Sequence, residues 1–441
     1  MRVVKRDRNG FIAMFDTETG RYVRTGVIKD GKMTEEDAFM AYYPELIDIG
    51  VMGNCVHGKR GLCVKAGIQC YQNGMNANNE NMRLEDYMKI IDESKGKTFQ
   101  VALGGAGDVD QHNRFEELLR YDRENNIVPN YTSSGYGITK DIADISKKYC
   151  GAVAISMYSR LRSLEPVVVC KKSEDNEKYT YNDEENIPVK FTLGNKNKEC
   201  YINAQKYIIN NKVYEIVDMK NTRYSKEETE YEMFRVFNER EENVYTYRAV
   251  ELLMDAGVTT NIHYVLSKET IEEAIIRLKY NGFPKGINAV VFLLHKPVGL
   301  GRSESVLDIN DCKVKEFFEL VDKGGYEYKI GFDSCSIPGI INLNSNIDTI
   351  SCDTCEGGRF SMYIDANMVA MPCSFDNQEL RWGVSLKGRS IQGVWESKEF
   401  EEFREYLKCS CCNCKDREQC MGGCPIRREI VLCNRNEKDL Y

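Results

Sequence analysis

From residue 44 onward, hydrophobic and polar positions follow a repeating rhythm. A short apolar run, 46–51, predicts a strand that ends just before Cys55. In 84–94 the apolar residues Tyr87, Ile90 and Ile91 recur at the spacing of one helix face. A strand is expected over 98–103, running into Gly104-Gly105-Ala106-Gly107-Asp108. A helix over 115–125, with Leu118, Leu119 and Tyr121 on its face, leads to a strand over 127–132, and a helix over 138–149 leads to a strand over 151–157. The rhythm resumes with a helix over 246–256, a strand over 259–266, a helix over 270–280 and a strand over 289–294. Strands at this spacing, separated by amphipathic helices, make βαβ units and a parallel sheet. The expected fold is α/β, an open or partial (β/α)6 barrel rather than a closed eightfold one. Sheets of this kind carry their sites at the C-terminal ends of the strands, where Cys55, the Gly104 turn and His295 would stand.

Two stretches break the rhythm. Residues 1–43 form a short polar preface with hairpin-like turns at Arg8-Asn9-Gly10 and Glu18-Thr19-Gly20. Residues 161–242 are polar, rich in Lys, Glu, Asn and Tyr, with β-like pieces over 190–193, 206–209 and 212–217. They read as an α+β insertion between two barrel parts, 44–160 and 243–330, and the acidic run Glu227, Glu228, Glu230, Glu232 reads as a solvated helix face. The insertion leaves the fourth strand at its C-terminal end and should emerge at the rim of the site. It is either a solvent-facing decoration or a substrate-handling surface, the latter through a strand edge that pairs with an extended peptide.

Composition narrows the function. Lys and Arg number 60 against 68 Asp and Glu, a net charge of −8, which argues against nucleic acid or an anionic membrane as a partner. The longest apolar run, 289–294, falls far short of the ~20 residues of a membrane span. No apolar stretch follows the charged N-terminus as an export signal would require, so a cytoplasmic location is expected.

The 18 cysteines are the strongest chemical signal, since a reducing cytosol does not sustain a disulfide framework. Three lie between Cys55 and Cys70 and eleven between Cys335 and Cys433, the clustering of thiolates gathered around metal. Cys150, Cys170, Cys200 and Cys312 are scattered and read as small apolar fillers. Cys55, Cys63 and Cys70 can hold a [4Fe–4S] cluster by three of its irons and leave the fourth open. With His57 the same loop offers four ligands to zinc. Downstream, Cys411-x2-Cys414-x5-Cys420-x3-Cys424, followed by Cys433, suits iron–sulfur clusters or a pair of zinc ribbons.

The loop, in which Tyr71 follows the third cysteine, resembles the cluster loop of radical S-adenosylmethionine (SAM) enzymes. Its intervals of seven and six residues depart from the CxxxCxxC spacing common in that family. Gly104-Gly105-Ala106-Gly107-Asp108 resembles the family's glycine-rich turn, where backbone must approach the methionine amino group with no Cβ between. Thr132-Ser133-Ser134-Gly135, Ile155-Ser156-Met157-Tyr158 and Leu293-Leu294-His295-Lys296-Pro297-Val298-Gly299 resemble the next cofactor-contacting segments, in order. The C-terminal pattern is similar to the SPASM domain. Cys355 and Cys373 match its preceding element in length, with Met368 where that element has Gly.

The resemblance implies three [4Fe–4S] clusters. Cys55, Cys63 and Cys70 would hold the catalytic one, and Tyr71, Gly104, Gly105, Gly107, Asp108, Ser134, Ser156 and His295 would bind SAM. Within 331–441, Cys373 and Cys424 would join two upstream cysteines on a first auxiliary cluster, Cys335 and Cys355 being favoured over Cys352. Cys411, Cys414, Cys420 and Cys433 would hold the second, leaving Cys409 and Cys412 surplus. Asp376 lies near where a maturase of this family places a base, although Ser374 holds the adjacent position. Asp108, Asp110 and His112 beside the glycine turn serve either acid–base or binding chemistry or a capped helix start.

The implied function is reductive cleavage of SAM to a 5′-deoxyadenosyl radical that cross-links or oxidises side chains of a ribosomally made peptide. Electrons would come from a flavodoxin- or ferredoxin-like donor. Two alternatives stand beside it: a maturase oxidising a Cys or Ser of a folded protein such as a sulfatase, and a non-catalytic zinc-binding interaction protein.

Overall fold

The computed structural model describes residues 2–158, 161, 168–172, 187–193, 196–203, 206–209, 212–217, 232–236, 240, 242–343, 353–409, 411 and 413–434. Seven strands run parallel through one sheet: β1 (Leu46–Met52), β2 (Gln100–Gly105), β3 (Val128–Ser133), β4 (Val153–Met157), β5 (Thr260–Leu266), β6 (Ala289–Leu294) and β7 (Lys329–Phe332). The C-terminal part adds β8 (Ser361–Ile364), β9 (Val369–Met371) and β10 (Val384–Ser385) on the other side of β1, giving the order β7-β6-β5-β4-β3-β2-β1-β8-β9-β10. β8 is parallel to β1, β9 runs antiparallel to β8, and β10 antiparallel to β9. The six expected repeats are all present. β7 and the C-terminal hairpin extend the sheet on either side.

Helices α1 (Leu84–Ser94), α2 (Phe115–Glu124), α3 (Lys140–Tyr149), α4 (Asn243–Asp255), α5 (Ile271–Tyr280) and α6 (Cys312–Lys323) connect the strands. Each buries one apolar stripe, such as Tyr87, Ile90 and Ile91 of α1. The strand faces differ sharply. Ile47, Ile49 and Val51 are fully buried in the same core as that stripe, while Asp48, between them, keeps partial exposure. Register carries the alternation across the sheet: Asp48 sits beside Ala102, Ala102 beside Asn130, Thr132 beside Ala154, and Ser156 beside His263. The inner face is therefore small and polar, unlike the branched aliphatic filling of a closed barrel.

The preface forms a three-stranded antiparallel sheet (Arg2–Arg6, Ile12–Asp16, Tyr22–Arg24). Phe11 and Phe15 pack with Phe99, Val128 and Phe360 near the starts of the barrel strands.

The insertion holds more strands than its sequence suggests. Val168–Lys172, Ile187–Leu193, Lys196–Asn203, Lys206–Ile209, Lys212–Val217 and Glu232–Val236 close into an antiparallel barrel. Glu232 thus opens a strand rather than continuing a helix face, and Glu227, Glu228 and Glu230 lie outside the described residues. Closure also corrects the expected mode of peptide capture. In a closed barrel each strand pairs on both sides, so no free edge is left for an incoming strand. Among the described residues no helix is long and apolar enough to cross a membrane.

Candidate active site

The loop after β1 folds back on its own strand, with Met82 N donating to Val51 O at 2.8 Å and Gly53 N to Asn81 Oδ1 at 3.1 Å. Inside it, two short helices take up the long cysteine intervals. Cys55 caps Val56–Lys59, its Sγ accepting from Gly58 N at 3.1 Å, and Cys63 lies in Leu62–Lys65. Cys70 Sγ accepts from Gly74 N at 3.4 Å. The three thiols are close enough to act on one another: burial, then Cys55, Cys70 and Asp108, pushes Cys63 up to about 12. Among the described residues no three His, Cys, Asp or Glu side chains gather tightly enough to hold a single metal ion. Three thiols on one loop are the number that holds a [4Fe–4S] cluster by three of its irons and leaves the fourth open.

The glycine turn lies directly against this loop. A Cβ on Gly107 would stand 2.5 Å from Asn54 O and 3.0 Å from Cys55 Cα; on Gly105, at φ +120°, it would stand 2.5 Å from Met52 O. Only glycine fits at either position. The Cβ direction of Gly104 instead faces open space. Asp108 closes the turn, accepting from Ser134 N at 3.0 Å and from the Ser134 hydroxyl. Burial, then the charge of Asp110, pushes its carboxyl up to about 7.

His57 Nε2 lies 3.7 Å from Asp108 Oδ2, and its ring faces Tyr136 with centroids 5.4 Å apart. Both His57 ring nitrogens and Asp110 Oδ1 are buried without a hydrogen-bond partner, polar atoms that a ligand beside the turn would satisfy. Asp110 and His112 lie in and just after a single 3₁₀ turn, and His112 Nε2 is held 3.3 Å from Met82 O.

Ser156 stands on the inner face of β4 beside His263. Tyr158, just beyond β4, hydrogen-bonds with Ser156. Burial, then nearby Asp108, Cys63 and Cys70, raises its phenol well above the ordinary value. His295 is placed differently from its neighbours in the motif. Its Nε2 lies 2.9 Å from Arg302 O, so it braces the loop 295–302. That loop supports the cysteines, since Leu300 N donates to Cys70 O at 2.9 Å.

Asp48 and His263 lie outside the motif segments, and Tyr158 lies inside one without a role of its own. Burial pushes Asp48 up to about 7 and His263 down to about 4. The signal for Asp48 and His263 was polar residues at alternate positions of otherwise apolar strands.

The C-terminal thiols form two groups. Cys335 follows β7 and Cys373 follows β9. The neighbouring Cys424 thiol and burial push Cys335 well up; burial and then Cys335 push Cys355 up to about 12; burial, then Cys355 and Cys335, raises Cys373. These four therefore share one environment, while Cys352 lies outside the described residues. Cys411, Cys420 and Cys433 line a small cavity with Asp416, and Cys414 follows directly, its N donating to Cys411 O at 2.9 Å. Cys409 is exposed at the end of a helix, and Cys412 lies outside the described residues.

Met368 adopts φ +65° in the β8–β9 turn, so the turn keeps the conformation that glycine favours, with a side chain bearing the strain. Asp376 is buried and accepts from Arg381 N at 3.1 Å and Trp382 N at 2.9 Å, engaged in its own turn.

No family model matches the sequence, and no curated protein matches it. Solved structures do. SuiB of Streptococcus suis bound to precursor peptide SuiA is 12% identical, with 99% of this chain and 98% of that one covered at a TM-score of 0.59. anSMEcpe with bound AdoMet is 16% identical, with 90% and 92% covered at a TM-score of 0.51. The chain thus shares the mostly parallel α/β fold of these two proteins over nearly its whole length.

Proposed function

We propose that the chain is a radical SAM enzyme that modifies side chains of a ribosomally made peptide, by cross-linking or oxidation. One observation carries the reading: three thiols on the loop after β1 stand against a glycine turn at the strand ends, with eight further thiols gathered in the C-terminal part. SuiB with a precursor peptide and anSMEcpe with AdoMet and the Cp18Cys peptide support it by their fold.

Bound at Cys55, Cys63 and Cys70, a [4Fe–4S] cluster would supply the electron that cleaves SAM to methionine and a 5′-deoxyadenosyl radical. The rest is the work of the protein. Gly104, Gly105 and Gly107 bring backbone to the cofactor's methionine end. Asp108 is held by Ser134 and faces the same turn, Ser156 and Tyr158 close the wall above β4, and the loop braced by His295 steadies Cys70 and Tyr71. Asp48, Thr132 and His263 make the inner face of the sheet polar. Residues 44–160 and 243–330 form the cofactor-binding barrel, and 331–441 hold two auxiliary [4Fe–4S] clusters, on Cys335, Cys355, Cys373 and Cys424 and on Cys411, Cys414, Cys420 and Cys433. A flavodoxin- or ferredoxin-like protein donates the electron.

The test is anaerobic reconstitution. The wild-type chain should carry about twelve irons and release 5′-deoxyadenosine from SAM under reductant. Changing Cys55, Cys63 and Cys70 together to Ala should abolish release and leave about eight irons. Iron near four with stoichiometric zinc, or undiminished 5′-deoxyadenosine from the triple variant, overturns the reading.

A further inference from the structure

Lys296 sits where the strand ends meet the first group of C-terminal thiols. It follows β6, is 5% exposed, and its Nζ pairs with the Asp333 carboxylate while lying 4.7 Å from the centre of the Phe375 ring. Asp333, directly after β7, is fixed by Ser336 Oγ at 2.7 Å and Leu294 N at 3.2 Å. Two residues beyond Asp333 is Cys335, and two residues before Phe375 is Cys373. Both contacts of the buried ammonium thus lead to a thiol of that group.

A buried ammonium is costly unless opposite charge offsets its lost hydration. Asp333 supplies that charge to the Lys296 ammonium. Neither the cofactor contacts nor the cluster ligands implied by the family resemblance include this lysine. A fixed positive charge beside an iron–sulfur site stabilises the form that carries one more electron, and net charge around a cluster is among the factors that set its potential.

We propose that Lys296 is a positioning residue that raises the reduction potential of the cluster on Cys335, Cys355, Cys373 and Cys424, with Asp333 governing how much of the lysine charge that cluster feels. This rests on the auxiliary-cluster assignment above. The lysine makes the cluster a better electron acceptor from a substrate held at the barrel mouth.

Potentiometric titration followed by electron paramagnetic resonance tests it. The full chain with Cys55, Cys63 and Cys70 changed to Ala isolates the two C-terminal clusters. In that background Lys296→Met should lower the midpoint of one cluster by at least a tenfold change in its reduction equilibrium, about 59 mV for one electron. Asp333→Asn should raise the same midpoint, Lys296→Arg should leave it near wild type, and the other cluster should not move. About eight irons with both midpoints unchanged in Lys296→Met and Asp333→Asn overturns the inference alone; should Lys296→Met fail to load, an unchanged midpoint in Asp333→Asn decides against it. Markedly fewer irons in the Cys background overturns the cluster assignment and the inference together.

Discussion

The ring of Tyr71 lies against that of Phe375, with centroids 4.8 Å apart and planes inclined at 45°. Tyr71 follows the last cysteine of the β1 loop, and Phe375 follows Cys373 by two residues, so one aromatic contact ties the proposed SAM site to the first auxiliary site. The tie is reinforced alongside, where Asn377 Nδ2 donates to Gln72 Oε1 and Lys296 stands over the same Phe375 ring.

The Tyr71–Phe375 pair should couple the stability of its two segments. In a double-mutant cycle, Tyr71→Ala and Phe375→Ala should show an interaction energy of about 0.5–1.5 kcal/mol in denaturant unfolding. Strict additivity would mean the rings merely lie near each other.

Asp48 gives a pH dependence of definite sign. Its folded pKa of about 7, raised by burial, lies above the roughly 3.9 of an exposed aspartate. The folded state therefore holds the proton longer, and the stability tied to it is present below about pH 4 and lost as pH rises through 7. Asp48→Asn should raise the melting temperature at pH 8, with a smaller gain at pH 5.5. An equal gain at both would mean that Asp48 does not titrate between them, and a loss at pH 8 would show that the carboxylate has a stabilising partner.

The inserted barrel closes its own strand pairing, so the main sheet does not depend on it for hydrogen bonds. Replacing 163–242 with a short Gly/Ser linker should preserve iron content and 5′-deoxyadenosine release in the absence of peptide. With no free strand edge to offer, the insertion should contribute little to peptide capture by strand pairing, so affinity for the peptide, measured by titration calorimetry, should change less than tenfold, about 1.4 kcal/mol. A larger loss of affinity would show that the barrel holds peptide through its side chains rather than through a strand edge.

The elements of the main sheet were legible because each carries its own burial pattern. Strand 289–294 and the stripe Tyr87, Ile90, Ile91 show it most plainly, since alternation and helical spacing are local consequences of having one dry face. The cysteine runs were legible for a similar reason: ligands close in sequence leave a spacing. Pairing between distant segments leaves no such trace. That Ile364 pairs with Ile49, that the insertion closes on itself and that Lys296 finds Asp333 were decided by register and packing among segments far apart in the chain. His295 shows the difference within one motif. Its position at a strand end was readable, but the direction of its ring, toward Arg302 O, depended on a loop whose course only the folded neighbours set.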